Sequence, residues 1–169
     1  MYKILKKIFN TGIITEAKQP INDQIAVNNQ RIHKAILKAF GRSLAIRHVD
    51  AGSCNACELE IHALNNPFYN IEGLGIHFTA SPRHADLLLV TGPVSRHMIV
   101  ALKRTYKAMP DPKLVVAVGD CSCSGGLFGK TYATCGSLND IIPVDLIIPG
   151  CPPTPTAILN GILSATRGL

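Results

Sequence analysis

From residue 44 onward, short apolar runs alternate with stretches in which apolar residues recur every three to four positions, the pattern of strands alternating with helices. Leu44–Asp50 reads as a first strand, and residues 58–64 as a helix that Asn65-Asn66-Pro67 stops. A weaker strand follows at 74–79. The run at 86–91 ends in Gly92-Pro93, which predicts a buried parallel strand feeding a helix with proline in its first turn. That helix spaces Val94, Met98, Leu102 and Tyr106 four residues apart, so all four are expected in the core, and Met109-Pro110-Asp111-Pro112 closes it. Two further buried strands are expected at 113–119 and 145–148. A final helix starts at Pro152-Pro153 and buries Ile158, Leu159, Ile162 and Leu163.

Strand and helix in alternation, with short connections, predict an α/β fold: an open, mainly parallel sheet with helices on both faces, flavodoxin-like. In such sheets ligands lie beyond the carboxyl ends of the strands. The fold is expected to occupy residues 44–169. Residues 1–43 form a separate basic helical arm.

The arm differs from the body in both pattern and charge. At 2–9, Ile4, Leu5, Ile8 and Phe9 fall on one helical face with Lys3, Lys6 and Lys7 on the other, as in a short interfacial helix. Two turns are too short to be stable alone. After a polar link, Ile32, Ile36, Leu37 and Phe40 make a second apolar stripe opposite Arg31, Lys34 and Lys38, and Gly41 is expected to end it. That stripe suits either a partner surface or the chain's own body. Residues 1–43 hold eight Lys/Arg against two acids, whereas 44–169 hold nine of each. The formal charge of +6 therefore belongs to the arm, which fits an acidic partner or an anionic membrane face. Nucleic acid is not expected, because aromatic residues are 5% of the chain and do not interleave with the basic cluster. No run approaches the roughly 18 apolar residues of a membrane span, and no secretory leader is visible.

Six cysteines carry the candidate chemistry. Cys54 and Cys57 form a CxxC after the first strand, Cys121 and Cys123 lie in Gly119-Asp120-Cys121-Ser122-Cys123-Ser124-Gly125-Gly126, and Cys151 lies in Gly150-Cys151-Pro152-Pro153. Each group follows the end of a predicted strand, so three loops deliver sulfur to one edge of the sheet. Cys135 stands apart. An all-sulfur site suits zinc or an iron–sulfur cluster. Structural zinc usually draws ligands as two close pairs that order a small unit; here the cysteines come from distant loops on a sheet large enough to fold unaided, which favours a cofactor. Adjacent glycines let backbone approach a bulky cluster. A thiol–disulfide pair needs no third sulfur, and no phosphate loop suited to flavin is present.

Beyond spacing, an ordered series of motifs carries a family likeness. Cys54-x-x-Cys57, Ala80-Ser81-Pro82-Arg83-His84-Ala85-Asp86, Val90-Thr91-Gly92-Pro93, Met109-Pro110-Asp111-Pro112-Lys113, Gly119-x-Cys121-x-x-x-Gly125-Gly126 and Ile142-Pro143-Val144-Asp145-Leu146-Ile147-Ile148-Pro149-Gly150-Cys151-Pro152-Pro153 resemble the small, cluster-bearing subunit shared by membrane-bound NiFe hydrogenases and respiratory complex I, where it is the 20 kDa (PSST-type) subunit. Complex I subunits have a tandem Cys-Cys-Ala-x-Glu. This chain has the spaced CxxC, with Asn55 in place of the second tandem cysteine and Glu58 matching the glutamate, so it is similar to the energy-converting group 4 hydrogenases. It departs from the classical uptake enzymes in having Ser53, not glutamate, before the first cysteine.

The resemblance implies that Cys54, Cys57, Cys121 and Cys151 hold one 4Fe-4S cluster, with Cys123 the alternative ligand and more simply a neighbouring thiol pointing away along an extended loop. Cys135 would be a small buried hydrophobe. Arg83 would either lie beside the cluster edge or pair with Asp86, and Glu58 would carry protons, touch a partner or answer the helix dipole. The implied function is electron relay between a ferredoxin-like subunit and a nickel–iron centre on a large catalytic subunit, beside a membrane arm at the cytoplasmic face of the cell membrane. On that reading the chain is an oxidoreductase subunit, not catalytic alone. The alternatives are a complex-I-like subunit whose terminal cluster reduces quinone, and a zinc-bound structural subunit.

Overall fold

The strands are the apolar runs. The computed structural model describes residues 2–11, 34, 36–38 and 41–166. Five strands, β1 (Leu44–Asp50), β2 (Ile76–Phe78), β3 (Leu87–Thr91), β4 (Leu114–Val118) and β5 (Leu146–Ile148), form one sheet in the order β2-β1-β3-β4-β5. Every pairing is parallel. Each residue of β3 and β4 is buried, as helices on both faces require. This is the flavodoxin-like order, with its topological switch point between β1 and β3.

Side chains alternate between two cores because a strand's period is two. On one face Leu44, Ile46, Leu87, Leu89, Val116 and Val118 pack with Ile61 and Leu64 around α2 (Ala56–Ala63) and with Ile158, Ile162 and Leu163 of α5 (Pro155–Thr166). On the other, Val49, Leu88, Val90, Val115 and Ala117 pack with Leu102 of α3 (Ile99–Ala108) and with Leu138 and Ile142. Two more helices are α1 (Tyr2–Thr11) and the single-turn α4 (Asp120–Ser124).

Two helices start later than the prolines suggest. Residues 93–98 precede α3 because Ser95 N–H donates to Ala51 O (2.8 Å) and Ser95 bridges Thr134, which commits this backbone to neighbouring loops. Val94, Met98, Leu102 and Tyr106 nevertheless all reach the second core. At the C-terminus Pro152-Pro153 lie in the loop, and α5 starts at Pro155 behind Thr154, whose Oγ1 accepts from Ala157 N–H (3.3 Å). Thr154 thus caps a helix with proline at its first position.

In the arm, Lys34 and residues 36–38 are helical, and Gly41 N–H donates to Leu37 O (2.9 Å) at a φ of +64°. Ile36 is fully buried in the first core, so that part of the stripe packs on the chain's own body. Arg31, Ile32 and Phe40 lie outside the described residues. Asp86 is paired with Arg42, not Arg83; its other oxygen accepts from Ala45 N–H (3.0 Å). Arg83 is exposed on the short turn Pro82–His84.

Candidate metal centre

Strand register sets the geometry of the cysteine edge. Asp50 pairs with Thr91, Thr91 with Val118, and Val118 with Ile148, so four strands end in one row. Loops carrying Cys54, Cys121 and Cys151 leave that row within a few residues of one another. But β3 lies between β1 and β4, which separates the latter by about 10 Å at normal strand spacing. The CxxC loop must therefore cross the end of β3.

It does so over Gly92. A Cβ at that residue, whose φ is +77°, would stand 2.7 Å from Ser53 N and 2.9 Å from its Cα, so the loop rests on bare backbone. Asp50 Oδ1 holds the start of the crossing by accepting from Gly52 N–H (2.7 Å) and Ser53 N–H (2.8 Å). Asn55, at φ +72°, turns the chain into α2; asparagine tolerates this left-handed conformation better than most residues. Beyond the crossing, Cys57 lands against Gly119, where a Cβ would lie 2.7 Å from its Sγ. Gly119 has a φ of +86°, and only glycine suits both its backbone and this contact.

The Cys121 and Cys151 loops are tied together by Asp120. Its N–H donates to Gly150 O (2.9 Å), and its Oδ1 accepts from Gly150 N–H (2.7 Å). Gly126 leaves room for Cys121, since a Cβ there would meet the Cys121 Sγ at 2.9 Å. Cys54 and Cys151 are exposed, Cys57 and Cys121 half-buried. Burial pushes the Cys57 thiol up to about 12, helped by the charge of Glu58 and by Cys121, Cys54 and Cys151. The Cys121 thiol is also raised, first by burial, then by Cys151 and Cys54. Cys57 and Cys121 thus each feel the charge of the other loops' thiols, and a metal that takes them as thiolates must displace their protons. Among the described residues no three His, Cys, Asp or Glu side chains are arranged to hold a single metal ion. The donor set fits a cluster: four thiols at one edge, cradled by glycines that a side chain would fill.

The other two cysteines face elsewhere. Residues 120–124 form a helical turn rather than an extended loop, which carries the Cys123 thiol inward to within 3.7 Å of Ile148 O and 3.9 Å of Ala117 O. Burial pushes it up to about 11. Cys135 is buried in the second core.

Glu58 is only 6% exposed, and neither of its carboxylate oxygens has a hydrogen-bond partner. An acid in the first turn of a helix is ordinarily a solvated answer to the dipole; this one faces inward. His48 Nε2 lies 4.0 Å from Glu58 Oε1 and 3.0 Å from the Thr91 hydroxyl. The pair lines a cavity of about 440 Å³ together with Arg47, Asn55, His62 and Phe78. No motif marks His48 or Arg47; only the position two to three residues before the end of β1 places them beside the cysteine edge.

The His48 imidazole is held below its ordinary value, chiefly by burial, against the opposing pull of Glu58 and Asp50. The neutral ring is therefore favoured in the fold, and the unfolded chain takes up a proton first as pH falls. Stability is expected to be full above about pH 6.5 and to drop on acidification through the lowered folded value. Denaturant midpoints measured across this range should show a steeper acid loss for the wild type than for His48→Gln; parallel curves would remove the argument.

Residues 54–165 match the family model described as the 20 kDa subunit of NADH ubiquinone oxidoreductase. The chain is 46% identical over 143 residues to the probable membrane-bound hydrogenase subunit mbhJ of Pyrococcus furiosus, covering 83% of this chain and 86% of that one. It is 46% identical over 131 residues to formate hydrogenlyase subunit 7 of Escherichia coli, covering 78% of this chain and 51% of the relative. Among solved structures, a chain of the membrane-bound sulfane sulfur reductase, an archaeal respiratory membrane complex, superposes with a TM-score of 0.67 at 35% identity, over 78% of this chain and 73% of that one. With its parallel sheet, its cysteine-bearing edge and these likenesses, the chain belongs to the family of the NADH ubiquinone oxidoreductase 20 kDa subunit, whose members are subunits of oxidoreductase complexes.

Proposed function

We propose that this chain is the electron-transfer subunit of a membrane-bound, hydrogenase-type complex, and that Cys54, Cys57, Cys121 and Cys151 hold one 4Fe-4S cluster. The observation that carries the reading is that the loops bearing these four thiols leave one row of strand ends, with Cys57 seated against a glycine that has no room for a side chain. When bound, the cluster supplies one-electron transfer between a ferredoxin-like subunit and a nickel–iron centre on a large subunit. The chain's own residues position and shield it. Asp50 and Asp120 anchor the loops at their bases, Gly92 and Gly119 allow the crossing, and the two cores hold the strand ends level. Peripheral placement at the cytoplasmic face of a membrane arm completes the reading; no helix among the described residues is long and apolar enough to cross a membrane.

A second reading is supported by the cavity beside α2. Its volume and its mixed lining of Phe78, Ile61, His48, Arg47 and Glu58 suit an aromatic headgroup with polar oxygens, so a quinone bound between this chain and its partner is the competing substrate. The purified complex decides. Hydrogen evolution from a reduced ferredoxin-type donor supports the first reading; quinone reduction without hydrogen turnover supports the second. An electron paramagnetic resonance signal in the reduced protein is expected under both, and a silent protein containing stoichiometric zinc would overturn both.

A further inference from the structure

Helix α1 lies far along the chain from the cysteine edge and has no role there. At about 100° per residue, Tyr2, Ile4, Leu5, Ile8 and Phe9 occupy one arc of roughly 160°, while Lys3, Lys6, Lys7, Asn10 and Thr11 fill the rest. The two sets do not mix. Among the described residues nothing covers four of these side chains: Tyr2 is 78% exposed, Ile4 65%, Leu5 55% and Phe9 87%. A ten-residue helix is marginal in water on its own, so a helix with such a face requires a surface to complete it.

Charge selects the surface. The ten residues hold three lysines and no acid, which disfavours a second copy of the same helix, since like charges would meet without a counter-charge. Lysines flanking an apolar arc match anionic headgroups beside acyl chains. Tyr2, with its polar hydroxyl, suits the headgroup boundary, and Phe9 suits the apolar arc beneath it. We propose that α1 docks flat on an anionic lipid surface, its apolar arc in the acyl boundary and its lysines at the headgroups, giving this chain a lipid contact of its own. This is independent of which redox centre the cysteines hold.

Because Ile36 is buried in the core and Arg42 pairs with Asp86, the test must remove residues 2–11 and leave the rest of the arm. The full-length chain is mixed with phosphatidylcholine vesicles with or without phosphatidylglycerol and sedimented. Binding is expected to the anionic vesicles, to weaken with salt, and to fall about 100-fold in the Lys3→Gln/Lys6→Gln/Lys7→Gln variant, at about fivefold per lysine. Deleting 2–11 should abolish binding while the denaturant midpoint of the remaining chain stays unchanged. The chain has no tryptophan, so Phe9→Trp introduces a single reporter whose emission should shift blue on anionic vesicles only. Equal binding to neutral vesicles, or no binding, overturns the proposal. So does concentration-dependent dimerisation through α1, or lipid-free retention by the complex's other subunits that deleting α1 removes.

Discussion

Replacing Cys121 with serine is expected to strip the protein of most of its iron and of the signal of its reduced cluster, whereas Cys123→Ser leaves both in place. The two residues lie on one helical turn, yet only Cys121 faces the other thiols; Cys123 is directed at the carbonyls of Ala117 and Ile148. Loss of a group that merely supports a ligand already costs on the order of 10–100-fold in metal affinity, and loss of a ligand costs at least that. Iron per chain and the electron paramagnetic resonance spectrum, measured on both variants prepared together, check the assignment. Equal loss from both would show that Cys123 takes part and that the four-thiol set is wrong.

The second large effect is expected at a residue that is no ligand. Gly92→Ala puts a methyl group within 3.0 Å of Ser53 N, Ser53 Cα and Gly52 C, all of them backbone atoms that cannot swing aside. The positive φ costs roughly 1–2 kcal/mol for a residue with a Cβ, and forcing the loop away adds about 1–3 kcal/mol. A shifted crossing would also carry Cys54 and Cys57 off the thiols of the neighbouring loops, so iron content should fall with stability. Gly129 is the control: its φ is +58°, but a Cβ there meets nothing within 4 Å, so Gly129→Ala bears the backbone term alone. Denaturant midpoints and iron content that fall equally in both variants would refute the crossing.

Much of this was legible along the chain. Each strand is a short apolar run, and a parallel strand must leave its loop at the same edge as its neighbours, so the cysteines' common edge followed from order alone. Where the structure departs from the pattern, the reason is local ambiguity. Proline opens helices and also loops, and Pro93 and Pro152 gave no hint that Ser95 N–H is taken by Ala51 or that Thr154 is the cap. Asp86 looked ready for a neighbour three residues away, but its partner, Arg42, lies 44 residues back. For Glu58 a place in a first turn leaves proton carriage, partner contact and the helix dipole all open, and its burial beside His48 depends on where α2 settles on β1.

The α/β alternation, the edge that carries the thiols and the family can all be read along the chain, because strand period, chain direction and motif order are local or linear properties. That β3 stands between β1 and β4, and hence that the Cys54–Cys57 loop must cross Gly92 to reach Gly119, is visible in the folded chain alone. That arrangement is a matter of which surfaces pack together over tens of residues. The absent side chains at Gly92 and Gly119 have meaning only once those surfaces meet.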